Sequence, residues 1–468
     1  MTGTKRTFLL VALTILFLLL LYFLPTLTIG DNELRKVKIL SDLFESSKKD
    51  RVISDTAKSA AEVIEDDDNY YVNVPKDMTL IEDYGGASGK GMAPLYQALF
   101  LNKTMSRHVR IAYFGDSFIE GDIFTSDLRE QLQAHFGGEG PGWIDAGSTF
   151  NKGFRRSILQ TYSGISEFSV VKTPFDGAQQ GLNQRYFIPT EGASLDTKGT
   201  KHYPHASQWE RTQFFVRTSG GINVSTTLGE GEAKSNAISA SDKVQSFTIE
   251  GKTGHVRHTF SHLRGKNVLY GMALEGKRGI VLDCYSMRGS AGFTIANIPV
   301  ATLKDFAHER PIDLFIIHYG LNVANTKGTK ASYDAYMKKM QGVVDHLREA
   351  YPDAGFLIVS VSDRDQRTAN GITTMKGVEE LIVSQQQMAE QGKIAFFNLF
   401  KAMGGKGSMA KYVERKLANK DYTHITFDGG KELSKFLFDA IRIGYDNYEQ
   451  WLKKTSKSGT EKSDKRSE

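Results

Sequence analysis

Short apolar runs that are typical of buried strands alternate with amphipathic helical segments in two parts of the chain. The run 109–114 precedes a helical segment, 123–136, in which Leu128, Leu132 and Phe136 share one face. The alternation recurs later in strand-like runs at 279–284, 313–317, 356–362 and 394–400 and in helical segments at 333–351, 378–391 and 430–445. Helices that alternate with buried strands predict a parallel sheet covered on both faces.

The pattern changes between residues 151 and 276, where helical spacing disappears. Short alternating or aromatic runs take over, separated by Gly and Ser, at 213–216, 222–225, 247–249, 256–260 and 268–270. Such spacing is typical of a β-sandwich. We therefore predict an inserted β-sandwich at 151–276 that divides an α/β domain into 92–150 and 277–450.

The N-terminal residues 1–30 contain an apolar stretch, 8–24, that follows Lys5 and Arg6. Its length and its basic flank predict a transmembrane signal anchor in the inner membrane, with the remaining chain on the periplasmic, extracytoplasmic side. A cleavable signal peptide is the alternative, but no small-residue cleavage site follows the stretch. Residues 31–91 are predicted to form a spacer, and the lysine-rich residues 451–468 a disordered basic tail.

Composition excludes several other classes of protein. The 468 residues carry a modest net charge of +5 and a single cysteine, Cys284, so no intramolecular disulfide forms. We expect no nucleic-acid partner, because a clustered basic face with aromatic residues is missing. The sequence has no His-Glu-x-x-His or paired-Cys motif, and we expect neither a metal nor another cofactor.

A Gly-Asp-Ser triplet at 115–117 ends the first predicted strand and places Ser117 ahead of a helical segment. Free N–H groups at a helix start favour an oxyanion, which makes Ser117 a candidate nucleophile. Ser and Asp are also ordinary capping residues, so the triplet alone is weak support.

Three further polar groups follow in an order that an esterase requires. Gly289 comes after the run 279–284, Asn322 after the run 313–317, and the loop 421–424 brings Asp421 and His424 before the last helical segment. Because the carboxyl ends of parallel strands meet at one edge of a sheet, we expect these groups to converge.

Together, these motifs resemble the SGNH hydrolases, also called the GDSL esterases and lipases, whose four blocks supply Ser, Gly, Asn and His. The resemblance spans 94–147 and 277–445. It implies a flavodoxin-like α/β fold and a serine esterase activity. An insert between the serine and glycine blocks is similar in position to that of bacterial peptidoglycan O-acetylesterases.

The resemblance implies a role for each matching residue. Ser117 becomes the nucleophile, His424 its general base and Asp421 the group that orients the imidazole. The backbone N–H groups of Ser117 and Gly289 and the Asn322 side-chain amide become the donors of an oxyanion hole.

Three neighbouring residues have supporting roles in this interpretation. Asp116 is expected to hold the nucleophile turn, whereas Asp122 either caps the helix or orients that turn. His318 is the rival base, and we interpret it as a packed residue behind the site.

The sequence therefore predicts an esterase that removes O-acyl groups, acetyl above all, from a cell-envelope polysaccharide. Acyl transfer to a glycan hydroxyl and non-catalytic polysaccharide binding are the alternatives. In the insert, Tyr203 and Trp209 either stack on sugar rings or fill the core and its seam with the hydrolase part. The oligomeric state stays open.

Overall fold

The computed structural model describes residues 28–29, 32–33, 70–71, 75–87, 89–102, 104–105, 107–369 and 371–464. The chain divides into two compact units, residues 1–65 and 66–468. In the first unit the described residues form two antiparallel two-residue strands, β1 (Thr28–Ile29) and β2 (Asn32–Glu33). The described part of the second unit contains two large sheets, the helices around them and a small antiparallel pair of strands, β17 (Asp365–Thr368) and β18 (Gly371–Thr374).

A six-stranded sheet lies at the centre of the larger hydrophobic core. Its strands are β3 (Ile81–Asp83), β4 (Val109–Gly115), β14 (Ile280–Ser286), β15 (Leu314–His318), β16 (Gly355–Val359) and β19 (Ala395–Phe397). They lie in the order β14, β4, β15, β16, β19, β3. The first five are parallel, and β3 pairs antiparallel with β19 at the edge.

The expectation of a flavodoxin-like, wholly parallel sheet is therefore wrong, because the sheet is mixed. Its antiparallel edge strand, β3, comes from the segment 31–91 that the sequence assigns to a spacer. Ile81 is buried there, as is Tyr70. A strand of three residues is too short to show a periodic pattern, which is why the sequence gives no sign of it.

The helices confirm several sequence predictions. The segment predicted at 378–391 is a helix over Val378–Gln391, and those predicted at 123–136 and 333–351 are helices with shifted ends. The helices are α1 (Ala93–Leu101), α2 (Thr125–Phe136), α3 (Val300–Glu309), α4 (Lys330–Arg348), α5 (Val378–Gln391), α6 (Leu399–Ala402), α7 (Ser408–Glu414) and α8 (Phe427–Asp464). Helix α8 continues to Asp464 and so extends into residues 451–468, for which the sequence predicts a disordered tail.

The second large sheet is antiparallel and has nine strands. They are β5 (Gly142–Asp145), β6 (Ile158–Ser169), β7 (Arg185–Gly199), β8 (Trp209–Thr218), β9 (Ile222–Leu228), β10 (Lys234–Ile238), β11 (Ser241–Thr253), β12 (His255–Ser261) and β13 (Asn267–Glu275). Strand β13 pairs with β5, β7 and β8, which joins all nine strands into one barrel-like sheet. The predicted two-sheet sandwich is therefore wrong.

The two aromatic residues considered for sugar stacking do not present open faces. Trp209 is fully buried in the core of the antiparallel sheet, where its indole N–H donates to Thr212 Oγ1 over 2.9 Å. Tyr203 is 8% exposed, and its hydroxyl donates to Asp127 Oδ2 on α2 over 2.9 Å. Trp209 thus fills the core, and Tyr203 lies at the seam with the α/β part.

Among the residues that the structure describes, no helix combines the length and the apolar character needed to span a membrane. The apolar residues 8–24, on which the predicted transmembrane helix depends, lie outside the described residues.

Candidate active site

Ser117 lies in the turn that follows β4, at the carboxyl edge of the mixed sheet. The Ile119 N–H donates to the Asp116 carbonyl over 3.3 Å, and the Glu120 N–H to the Ser117 carbonyl over 3.4 Å. A short 3₁₀ helix, Glu120–Asp122, then leads to α2, which begins only at Thr125. The serine therefore lies ahead of the α-helix, as the sequence predicts, but a tight turn and a short 3₁₀ helix separate the two.

The structure brings Ser117, His424 and Asp421 together although Asp421 comes 304 positions after Ser117 in the sequence. Ser117 Oγ lies 3.0 Å from His424 Nε2, and His424 Nδ1 lies 2.7 Å from Asp421 Oδ2. The His424 and Asp421 side chains are 38% and 50% exposed, so the site is open to solvent. This is the order of contacts that a serine nucleophile, a base and an orienting carboxylate require.

The loop that carries His424 is fixed by its own backbone and by a neighbouring strand end. The Asn419 N–H donates to the His424 carbonyl over 2.7 Å, and the Asp365 N–H donates to the Tyr422 carbonyl over 3.1 Å. Arg364, on the same segment as Asp365, donates to the Leu321 carbonyl over 3.0 Å. The segment after β16 therefore connects the loop of the candidate base with the loop of Asn322.

Asp421 is held in its ionised form by several donors. Partial burial raises the pKa of Asp421, but the hydrogen bonds of its carboxylate lower the pKa by more, so it lies below the ordinary value. Oδ1 accepts the backbone N–H groups of Thr423 and His424, both over 3.0 Å, and Oδ2 faces the His424 ring. An ionised carboxylate at this place stabilises an imidazolium.

The three candidate oxyanion donors lie on loops that are tied to one another. The Met287 N–H donates to the Gly115 carbonyl over 2.8 Å, which places the Gly289 loop beside the serine turn. Gly289 has a φ of +74°, and no heavy atom lies within 4 Å of where its Cβ would be. Glycine is therefore favoured here by backbone conformation and not by crowding within the chain.

Asn322 uses both hydrogens of its side-chain amide. Nδ2 donates to Asp116 Oδ2 over 2.8 Å and to the Ser290 carbonyl over 3.0 Å. An ester carbonyl that receives a hydrogen bond from Asn322 must therefore compete with one of these acceptors.

Asp116 is a buried carboxylate that organises the turn. Its Oδ1 accepts the Phe118 N–H over 2.9 Å, and its Oδ2 accepts from Asn322. Burial raises the pKa of Asp116 to about 6, although these hydrogen bonds and the nearby His424 act in the opposite direction. Its contacts agree with the structural role that the sequence suggests.

Asp122 is the centre of a buried ionic cluster and not a simple helix cap. Its carboxylate lies 2.7 Å from Arg129 Nη1 and 3.0 Å from Arg155 Nη2, and it accepts from Ser157 Oγ over 3.1 Å. Burial alone raises the pKa of Asp122, but the two guanidinium groups hold it well below the ordinary value. Because Arg129 is on α2 and Arg155 precedes β6, Asp122 connects the serine turn to both parts of the fold.

His318, the rival base, lies apart from the Ser117 hydroxyl, which pairs with His424. His318 Nδ1 lies 3.0 Å from the Tyr113 hydroxyl, and its ring centroid lies 5.0 Å from that of Phe118. Burial lowers the pKa of His318 to about 3, so the ring stays neutral. It is a packed core residue in this structure.

Two charged residues beside the site were not singled out from the sequence. Glu120 is 4% exposed, and its Oε2 lies 3.5 Å from Arg288 Nη1, next to Gly289. Burial raises the pKa of Glu120, although Arg288 and other nearby cations lower it in part. In the sequence, the only indication of this pair is that Arg288 directly precedes Gly289.

Comparisons with known proteins give structural matches and no sequence match: no family model and no curated protein matches the chain. A peptidoglycan O-acetylesterase structure aligns with a TM-score of 0.65 and 23% identity over 78% of this chain and 99% of its own. A family two carbohydrate esterase from Cellvibrio japonicus has a TM-score of 0.25 and 10% identity over 63% of this chain and 99% of its own. An acetyl xylan esterase also has a TM-score of 0.25, with 12% identity over 34% of this chain and 81% of its own.

Of these matches, the first shows that this chain shares the fold of a peptidoglycan O-acetylesterase. The other two TM-scores are too low to support an argument.

Proposed function

We propose that the protein is an SGNH-type serine esterase that removes O-acetyl groups from a cell-envelope polysaccharide. The observation that carries the proposal is the contact series Ser117 Oγ to His424 Nε2 and His424 Nδ1 to Asp421 Oδ2, at 3.0 and 2.7 Å. The shared fold with a peptidoglycan O-acetylesterase supports the polysaccharide substrate.

In the proposed reaction, His424 takes the Ser117 proton as Oγ attacks the acetyl carbonyl carbon. The carbonyl oxygen becomes an oxyanion beside the N–H groups of Ser117 and Gly289 and the amide of Asn322. Collapse breaks the ester C–O bond, and His424 returns the proton to the leaving sugar oxygen. Water then attacks the acetyl-enzyme by the same steps and releases acetate and free Ser117.

The solvent exposure of the His424 and Asp421 side chains is compatible with hydrolysis, and it leaves room for a sugar acceptor as well. Water has direct access to an acyl-enzyme formed at so open a site. The two reactions are distinguished by incubating the enzyme with 4-nitrophenyl acetate and glycan oligomers. Mass spectrometry then shows whether acetyl groups appear on sugar or only as free acetate.

An envelope substrate requires a catalytic part outside the cytoplasm, and an extracytoplasmic location is therefore included in the proposal. Its support comes from the sequence alone, in which Lys5 and Arg6 precede the apolar residues 8–24. Basic residues followed by an apolar stretch are typical of segments that direct export.

The esterase is tested with Ser117→Ala, measured on 4-nitrophenyl acetate and on O-acetylated peptidoglycan. We expect kcat to fall at least 10³-fold on both substrates, because no other group replaces the nucleophile. Ser163→Ala, in an exposed serine pair of the antiparallel sheet, is the matched control. A fluorophosphonate label found on any residue but Ser117, or unchanged turnover by Ser117→Ala, contradicts the proposal.

A further inference from the structure

The segment 153–157 enters the antiparallel sheet beside the serine turn with alternating inward and outward side chains. Arg155 and Ser157 are buried, whereas Phe154 and Arg156 are exposed. Arg155 pairs with Asp122 over 3.0 Å and also donates to the Trp143 carbonyl over 3.1 Å. These anchors fix the segment, and with it the positions of its two outward residues.

Phe154 lies directly over the turn that carries the nucleophile. A Cβ on Gly121, four residues after Ser117, would collide with Phe154 Cδ1, so the ring covers that glycine closely. The φ of Gly121 is +61°, which also disfavours a side chain there. Despite this contact, 46% of Phe154 is exposed, so part of its ring is open to solvent.

The same ring also reaches the loop of the candidate base. The ring centroids of Phe154 and Phe427 lie 5.6 Å apart, and Phe427 comes three residues after His424. The guanidinium carbon of Arg156 lies 3.9 Å from the Phe427 ring centroid. Burial raises the pKa of Asp127 on α2, and Arg156 is among the nearby groups that lower it in part. An exposed aromatic ring, Phe154, with a guanidinium stacked on its neighbour Phe427, therefore lies between the two catalytic loops.

We propose that Phe154, Phe427 and Arg156 form a glycan subsite, here named the Phe154 platform, that binds the sugar ring next to the acetylated one. A pyranose has an apolar face of C–H groups that packs on an aromatic ring, and equatorial oxygens that accept from a guanidinium. The inference rests on the proposed esterase function and specifies its substrate as a polymer held at two or more rings. It also gives the antiparallel part of the fold a direct role in the site.

The subsite is tested with Phe154→Ala on substrates of different length. The substrates are 4-nitrophenyl acetate, which has no second ring, and peptide-free glycan strands of O-acetylated peptidoglycan. We expect kcat/KM on the strands to fall at least 10-fold more than kcat/KM on the small ester. Phe154→Trp keeps a stacking surface and is expected to restore most of the activity on the strands.

Phe100→Ala is the matched control, because Phe100 on α1 is 43% exposed and has no part in the site. It should leave both activities within twofold of the parent protein. Equal losses on the two substrates in Phe154→Ala, or no loss on either, overturn the subsite.

A binding measurement separates this inference from the proposed function. Calorimetry of glycan strands with Ser117→Ala, and with the Ser117→Ala, Phe154→Ala double variant, does not depend on turnover. A Kd at least 10-fold weaker in the double variant supports the subsite even if the parent protein hydrolyses no ester. An unchanged Kd overturns the subsite even if the esterase activity is present.

Discussion

One carboxylate, that of Asp421, fixes both the ring and the backbone of His424. Oδ2 lies 2.7 Å from Nδ1, while Oδ1 accepts the His424 backbone N–H over 3.0 Å. The carboxylate therefore favours the tautomer that carries its proton on Nδ1, which leaves Nε2 free to accept the proton of Ser117. The loop that carries the ring is held by the same group.

Replacing Asp421 by Asn should lower kcat on 4-nitrophenyl acetate by about 10²–10⁴ with a small change in KM. An asparagine side chain can turn its NH2 group toward Nδ1, and that group cannot accept the Nδ1 proton in a hydrogen bond. Because asparagine is uncharged, it also no longer stabilises an imidazolium. Steady-state kinetics measure the effect, with Asp428→Asn on the same exposed surface as the control. A loss below 10-fold would mean that the carboxylate does not assist the base.

The Asn322→Ala variant should lower kcat by about 10²–10³, the usual effect of removing one oxyanion donor. Asn325→Ala is the control, because Asn325 is a neighbouring loop amide that donates to the Val323 carbonyl. If Asn322 only ties its loop to Asp116 and Ser290, the variant will lose thermal stability while kcat stays within a few fold.

Asp116 gives a prediction about stability and pH. Because burial raises its pKa from 3.8 to about 6, the folded protein binds this proton more tightly than the unfolded chain does. The contribution of Asp116 to stability is therefore most favourable below pH 4 and declines as the pH rises through 6. At pH 7.5 the ionised carboxyl costs at most about 3 kcal/mol.

Asp116→Asn loses one of the two acceptor oxygens at any pH, but it should change the free energy of unfolding about 1–3 kcal/mol more favourably at pH 7.5 than at pH 4. Urea unfolding at the two pH values measures the difference. Asp353→Asn, at a fully exposed side chain, provides the control for loss of one negative charge. A change of the same size at both pH values would contradict the assigned cause.

Asp122→Asn should destabilise the fold by about 3–5 kcal/mol, because it leaves the Arg129 and Arg155 charges without their counter-ion. Asp334→Asn removes an exposed ion pair with Lys330 and should cost less than about 1 kcal/mol. Urea unfolding of the two variants under the same conditions compares them. Similar losses in both would mean that the cluster around Asp122 contributes little.

The sequence predicts local elements well where one pattern covers many residues. The apolar run before Ser117 is a strand, and the periodic spacing from Val378 to Gln391 is a helix. The sequence does not predict which strands pair. Strand β3 has three residues, and β13 pairs with three partners, so only long-range contacts determine the mixed and barrel-like sheets.

In the candidate site, too, the sequence predicts the residues of local motifs but not the contacts between distant parts of the chain. Ser117, Asp421 and His424 were named from their motifs, and the structure brings these three together. The partners of Asp122 were not predictable, since Arg155 approaches it from another part of the fold. Phe154 belongs to no motif, and its importance depends on its position over Gly121.

The pairing of Arg155 with Asp122 has a consequence for engineering. The two parts of the fold are not independent of each other. Removing the antiparallel part together with Arg155 would also remove one of the two positive charges that neutralise Asp122 beside the serine turn. A minimal catalytic fragment would need a replacement cation at that place before its activity could be compared with that of the whole chain.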